Sequence, residues 1–162
     1  MPTITPSLWF DGNAEEAANF YVTLLPDSRV DEVFRSPADN PSTPAGAVLV
    51  VNFTVGGQRF TAINGGPQFS FTEAVSFVID CDGQDEVDRL WDTLIGGGGS
   101  PGQCGWLKDR FGLSWQIVPS QMGEMLGDPD PERARRAMEA MLGMTRIEIA
   151  EMRRAVEGQP VA

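Results

Sequence analysis

The chain has 162 residues, 12 basic and 23 acidic, for a formal net charge of −11, with 41% hydrophobic and 22% charged side chains. That is the balance of a folded acidic protein, long enough to bury about 70% of its unfolded surface. The charge opposes broad contact with nucleic acid or anionic lipid, both of which need a positive footprint. The absence of histidine removes imidazole bases, Ser-His-Asp triads and His-containing metal sites. Two cysteines, Cys81 and Cys104, are too few for a four-thiolate centre. The first residues lack a basic segment followed by an apolar one, and no apolar run approaches membrane-spanning length, so a cytoplasmic protein with reduced thiols is expected.

Residues 4–10 form a short run with large apolar side chains, broken by Asp11-Gly12-Asn13, and read as a strand. A helix is predicted over 14–25, where Ala14, Ala17, Ala18, Tyr21, Leu24 and Leu25 share one face. Asn13 and Glu16 have the spacing of a capping box at its start, and Pro26-Asp27 stops it. Residues 29–35 read as a strand and 36–46, with three prolines, as a loop. Strands at 47–55 and 58–64 flank Gly56-Gly57, the signature of a type I′ hairpin.

The second half repeats the pattern. A strand is predicted over 74–80, and a helix whose stripe is Val87, Leu90, Trp91 and Leu94, ended by residues 96–99, all glycine. Strands at 103–108 and 113–118 follow, and a further strand in this half has to come from the glycine-rich stretch. The carboxylates of Asp80, Asp82, Asp85, Glu86 and Asp88 lack the EF-hand spacing and suit a solvated helix start. In the tail, Asp130-Pro131 opens a helix bearing Ala134, Ala137, Met138, Met141 and Leu142. Thr145-x-x-Glu148 has the capping-box spacing for a second helix reaching about residue 157. The tail methionines suit an adaptable packing surface.

Set in this tandem β-α-β-β-β order are the segments Leu8-Trp9-Phe10-Asp11-Gly12, Asn19-Phe20-Tyr21, Asn64-Gly65-Gly66-Pro67, Ser76-Phe77-Val78-Ile79, the stretch from Cys104 through Gly112, and Ser114-Trp115-Gln116-Ile117. With the order itself, they carry a resemblance to the vicinal oxygen chelate superfamily of glyoxalase I, bleomycin-resistance proteins and extradiol dioxygenases. Within it the chain resembles the PhnB-like branch, which bears the family name 3-demethylubiquinone-9 3-methyltransferase. It implies an α+β fold: tandem units at about 1–67 and 70–120 make one domain with a curved mixed sheet, and 121–162 form a C-terminal helical extension. A homodimer is the usual assembly it implies.

In metal-dependent relatives, four inward positions hold one divalent cation. The resemblance puts these near Pro6, Val50, Ala74 and Gln116, with Asn52 and Ser76 two residues away; none is a carboxylate or imidazole. No metal and no cofactor is therefore expected. Strand alternation gives a pocket face that includes Leu8, Phe10, Val50, Asn52, Ser76, Val78 and Gln116, with Trp106 and Lys108 at its rim and Trp9 and Trp115 packed on the opposite side. Such a face suits an aromatic or amphipathic small molecule, and Leu8, Phe10, Asn52, Ser76, Trp106 and Gln116 are the expected ligand-binding residues. The alternatives are an enzyme, whether the named methyltransferase or a lyase- or isomerase-like activity, and a protein-interaction module resting on the tail. No G-x-G-x-x-G turn is present for a nucleotide-sized methyl donor. Cys104, with Lys108 and Arg110 as its nearby cations, reads as an inert thiol, and Asn64-Gly65-Gly66 as a turn before it reads as an anion cradle.

Overall fold

The structure is a computed structural model that describes residues 1–160. The chain divides after Phe71 into two compact units, each a mixed four-stranded sheet covered by helix on one face. The first contains β1 (Ser7–Phe10), α1 (Ala14–Tyr21), β2 (Arg29–Arg35), β3 (Val48–Val55) and β4 (Gln58–Asn64). Its strand order is β1-β4-β3-β2, with β1 parallel to β4 and the others antiparallel. The α1 stripe of Ala14, Ala17, Ala18 and Tyr21 is buried, and Tyr21 stacks on Phe53, which stacks on Phe60. Gly56 and Gly57 both have positive φ between the paired Val55 and Gln58, as a type I′ turn requires.

The predicted capping box at Asn13 does not form, since Asn13 makes no side-chain cap. The Ala14 N–H is met from across the sheet by the Asn64 Oδ1 at 2.9 Å, while the Asn64 Nδ2 donates to the Val48 carbonyl at 2.9 Å. One buried amide thus joins the start of α1 and the ends of β3 and β4. The helix is also shorter than expected, giving way after Tyr21 to turns that bury Leu24 before Asp27 takes a positive φ.

The second unit has β5 (Ser76–Cys81), α2 (Gln84–Ile95), β6 (Ser100–Pro101), β7 (Trp106–Lys108) and β8 (Ser114–Pro119), ordered β5-β8-β7-β6. Here too the first strand runs parallel to the last. The glycine-rich stretch does supply the missing strand, in two residues, Ser100 and Pro101, paired to Lys108 and Leu107. A Cβ on Gly99 would stand 2.8 Å from the Lys108 carbonyl oxygen and one on Gly102 2.8 Å from that of Trp106. These glycines let β6 approach β7 as well as ending α2.

Three helices follow: α3 (Ser120–Leu126), absent from the sequence reading, α4 (Pro131–Leu142) and α5 (Ile149–Val156). Asp130 caps α4 as predicted, accepting from the Glu132 N–H at 2.9 Å. The second capping box does not form, because α5 starts only at Ile149. Its Ile149 N–H is taken by the Gln84 Oε1, and the Gln84 Nε2 donates to the Ile147 carbonyl and to Asp88. Ala137, Ile147, Met152 and Val156 form the buried centre of the tail, with Met122, Met125, Met141 and Met144 packed on it. Among the described residues no helix is long and apolar enough to cross a membrane.

Gly65 tests the packing of the first unit, since a Cβ there would lie 2.3 Å from the Trp9 indole. Gly65→Ala is expected to cost about 3 kcal/mol in urea unfolding. Gly83→Ala, at the extended N-cap of α2 with nothing within 4 Å, meets no clash and is expected to cost only the cap preference, about 1 kcal/mol or less.

Candidate functional site

Strand register decides which side chains share a face. In the first unit Leu8 is in register with Ala62 and Phe10 with Asn64, and Val51 and Phe53 lie across from Ala62 and Phe60. All of these are buried on the side that α1 covers. Asn52 pairs with Thr61 and Glu32, and Val50 with Ile63, which places them with Trp9 on the other face. Leu8 and Phe10, 6% and 4% exposed, are therefore core residues and do not share a face with Asn52. The expected alternation was out by one residue on β1, and a one-residue slip transfers every side chain to the opposite side. Trp9 moves with it: its Nε1 donates to the Gly66 carbonyl at 2.8 Å and its ring meets Phe69 edge-on.

Asn52 is already engaged. Its Oδ1 accepts from the Thr61 hydroxyl at 2.9 Å and its Nδ2 reaches Glu32 at 3.3 Å. The Gly65 and Gly66 N–H groups both point at the Phe10 carbonyl, so the Asn64-Gly65-Gly66 turn is committed to its own backbone.

In the second unit the expected parity holds. Phe77, Ile79, Trp115, Ile117 and Leu107 alternate with Ser76, Val78, Gln116, Trp106 and Lys108. Ile79, Trp115, Ile117 and Leu107 are buried, whereas Val78 is exposed and Ser76, Gln116, Trp106 and Lys108 are half-buried. The open face thus brings Ser76, Trp106 and Gln116 together, with Trp106 in register with Gln116 and the Gln116 Nε2 donating to the Ser76 hydroxyl at 2.9 Å. Lys108 forms an ion pair with Glu73, which holds the Glu73 carboxyl below its ordinary value.

This arrangement depends on Asp109, 3% exposed at the turn between β7 and β8. Its Oδ1 accepts from the Phe111 and Leu113 N–H groups at 2.8 and 3.1 Å, and its Oδ2 accepts from the Trp115 indole at 2.9 Å. Anchoring Trp115 beneath the sheet sets the alternation that leaves Ser114 and Gln116 on the open side.

Beside these residues lies a cavity of about 220 Å3 bordered by Glu73, Ser100, Trp106, Lys108 and Ser114. The Ser114 hydroxyl is buried and has no hydrogen-bond partner. Sequence reasoning missed Ser114, although it has the parity of Gln116 two residues later. Glu73 carried no signal, because its pairing with Lys108 joins segments 35 residues apart.

The oxygens on this face do not suit a transition metal. Ser76 and Gln116 are neutral and bonded to each other, and among the described residues no three Cys, Asp or Glu side chains come together as a metal site would need. The Cys81 thiol is equally unsuited to nucleophilic work. Burial, with Glu86 and Asp80 nearby, pushes the Cys81 thiol up to about 12. Cys104 sits in a turn at φ 57°, outside the strand predicted for it, with its N–H bonded to the Met144 carbonyl.

Two β-α-β-β-β units, each a mixed sheet with its first strand parallel to its last, make the α+β architecture that the resemblance implies. The family profile described as 3-demethylubiquinone-9 3-methyltransferase matches residues 2–118, and the chain belongs to that family. A PhnB protein from Bacillus cereus whose description carries the same family name is 32% identical over 74% of this chain and 100% of its own, with a TM-score of 0.66. The protein PA1353 of Pseudomonas aeruginosa is 23% identical over 74% and 98%, with a TM-score of 0.60. The fosfomycin resistance protein FosX of Listeria monocytogenes, solved with Mn(II) and sulfate, is 11% identical over 77% and 94%, with a TM-score of 0.51, and shares the fold alone. No curated protein matches the chain.

Asp109→Ala leaves three donors without their acceptor and is expected to cost about 3 kcal/mol in urea unfolding. Because the folded state keeps Cys81 protonated where the unfolded thiol ionises, stability should fall between pH 9 and about 12. Cys81→Ser should flatten that fall, measured by denaturant midpoints across the range.

Proposed function

We propose that the protein binds a small aromatic or amphipathic molecule on the open face of its second sheet, without a metal ion. The observation that carries this reading is the meeting of a half-buried indole, Trp106, with the hydrogen-bonded pair Ser76 and Gln116 on one face beside a cavity. An apolar wall with a few neutral polar groups is the common make-up of a small-molecule site. The neutral donor set supports independence from metal, and it also offers little for acid–base catalysis at neutral pH. Leu8 and Phe10 have no part in the proposal, since α1 covers them. The same reading has the protein acting as a cytoplasmic homodimer, supported by the habit of the superfamily.

A thermal-shift screen of metal-stripped protein tests it, with divalent cations, S-adenosylmethionine and small aromatics added separately. An aromatic at 100 times its Kd should stabilise the fold by about 2.7 kcal/mol, and Trp106→Ala should remove the shift. Stabilisation by Zn²⁺, Ni²⁺ or Mn²⁺ would overturn the metal-free reading, and stabilisation by S-adenosylmethionine would support the activity in the family name.

A further inference from the structure

The cavity beside Trp106 says what kind of small molecule this face is built to take. We propose that the ligand is a single-ring aromatic carboxylate, its ring against Trp106 and its carboxylate on the Lys108 ammonium and the Ser114 hydroxyl. The inference rests on the small-molecule reading above and narrows it to one charge class.

Three observations converge. First, the chain carries a single lysine among its 12 basic residues, and it stands on the open face, in register with Ser100 on one side and Ser114 on the other. An ammonium is a compact charge with three donors, more than one carboxylate takes up. Its partner Glu73 is 62% exposed and Lys108 itself 42%. An ion pair this open contributes little in water, so an incoming carboxylate can share the ammonium or displace Glu73 back into solvent at small cost.

Second, Ser114 lines the same cavity, and its hydroxyl, shielded from solvent, has no partner. A buried hydroxyl is costly unless something meets it. Because strand register sets Ser114 directly across from Lys108, a turn of the Ser114 χ1 toward the cavity lets one carboxylate engage both, one oxygen on each. Third, the room is limited. A cavity of about 220 Å3 lies below the range typical of drug-sized ligands, which favours one ring with a short acidic group over a nucleotide.

The acidic surroundings sharpen the expectation. With a net charge of −11, the protein repels anions at long range, so the attraction for an anionic ligand comes from Lys108. Neutralising that lysine should abolish the preference for acid, and removing the competing Glu73 carboxylate should strengthen it.

The probes are benzoate and its neutral counterpart benzyl alcohol, titrated into the full-length, ¹⁵N-labelled protein. The signals followed are the Trp106 indole N–H, assigned with Trp106→Phe, and the backbone amides of Lys108 and Ser114. Benzoate is expected to bind about tenfold or more tightly than benzyl alcohol. Lys108→Met, which keeps the aliphatic stem, should erase that difference. Glu73→Gln should tighten benzoate about threefold or more while leaving benzyl alcohol unchanged, and Ser114→Ala should weaken benzoate selectively. Unchanged amide dispersion in each variant establishes that it is folded. Equal affinity of the two probes, or a benzoate preference that survives Lys108→Met, would overturn the carboxylate inference and leave the aromatic reading standing. Failure of both probes to shift the Trp106 indole at several millimolar would overturn the two together.

Discussion

The buried carboxylate of Asp109 is the interaction on which the second unit's open face depends. A β7–β8 turn can close in more than one register, and each one-residue slip would send Trp115 outward and Gln116 inward. Asp109 removes that freedom by accepting two backbone N–H groups of the turn and the Trp115 indole N–H together. Hydrogen bonds to a charged acceptor are among the stronger ones available, and the site's low exposure keeps water from competing. Everything placed on the open face, from Ser114 and Gln116 to their neighbours Ser76, Trp106 and Lys108, inherits its position from that turn.

A second theme is that two helix starts are satisfied from afar. Ala14 at the head of α1 and Ile149 at the head of α5 each find their acceptor in a side-chain amide, Asn64 and Gln84, that lies 50 and 65 residues away in sequence. Both amides donate in turn to a backbone carbonyl. The local capping boxes that the sequence offers, at Asn13 and at Thr145, go unused. An exposed local cap and a buried distant amide meet the same donor, but the distant one also joins a strand to a helix, or a helix to the tail.

How much could be read in advance follows from these distances. The β2, β4, α2 and α4 elements were legible because hydrophobic period, glycine pairs and the Asp130-Pro131 start act within a few residues. The Gly56-Gly57 turn was legible for the same reason. On the second sheet the shared face of Ser76, Trp106 and Gln116 could be read too, since Asp109 lies close to the strands it aligns. On the first sheet Leu8 and Phe10 could not be assigned correctly. A four-residue strand with apolar side chains at Leu8, Trp9 and Phe10 has no alternation to read, and only its parallel pairing with β4 and the cover of α1 reveal which side is buried. The position of α3 escaped for a related reason, its apolar residues being methionines and leucine that pack against the tail cluster.

The sequence by itself determined the tandem β-α-β-β-β order, the family, the acidic charge and the chemistry that lack of histidine forbids, because these are properties of composition and short-range pattern. The tertiary structure alone decided which face of the first sheet is core, which amides cap which helices, and that Glu73, Lys108, Trp106 and Ser114 border one cavity. Those facts depend on strand register and on contacts between segments far apart in the chain, where the free energy of a pairing belongs to neither segment alone.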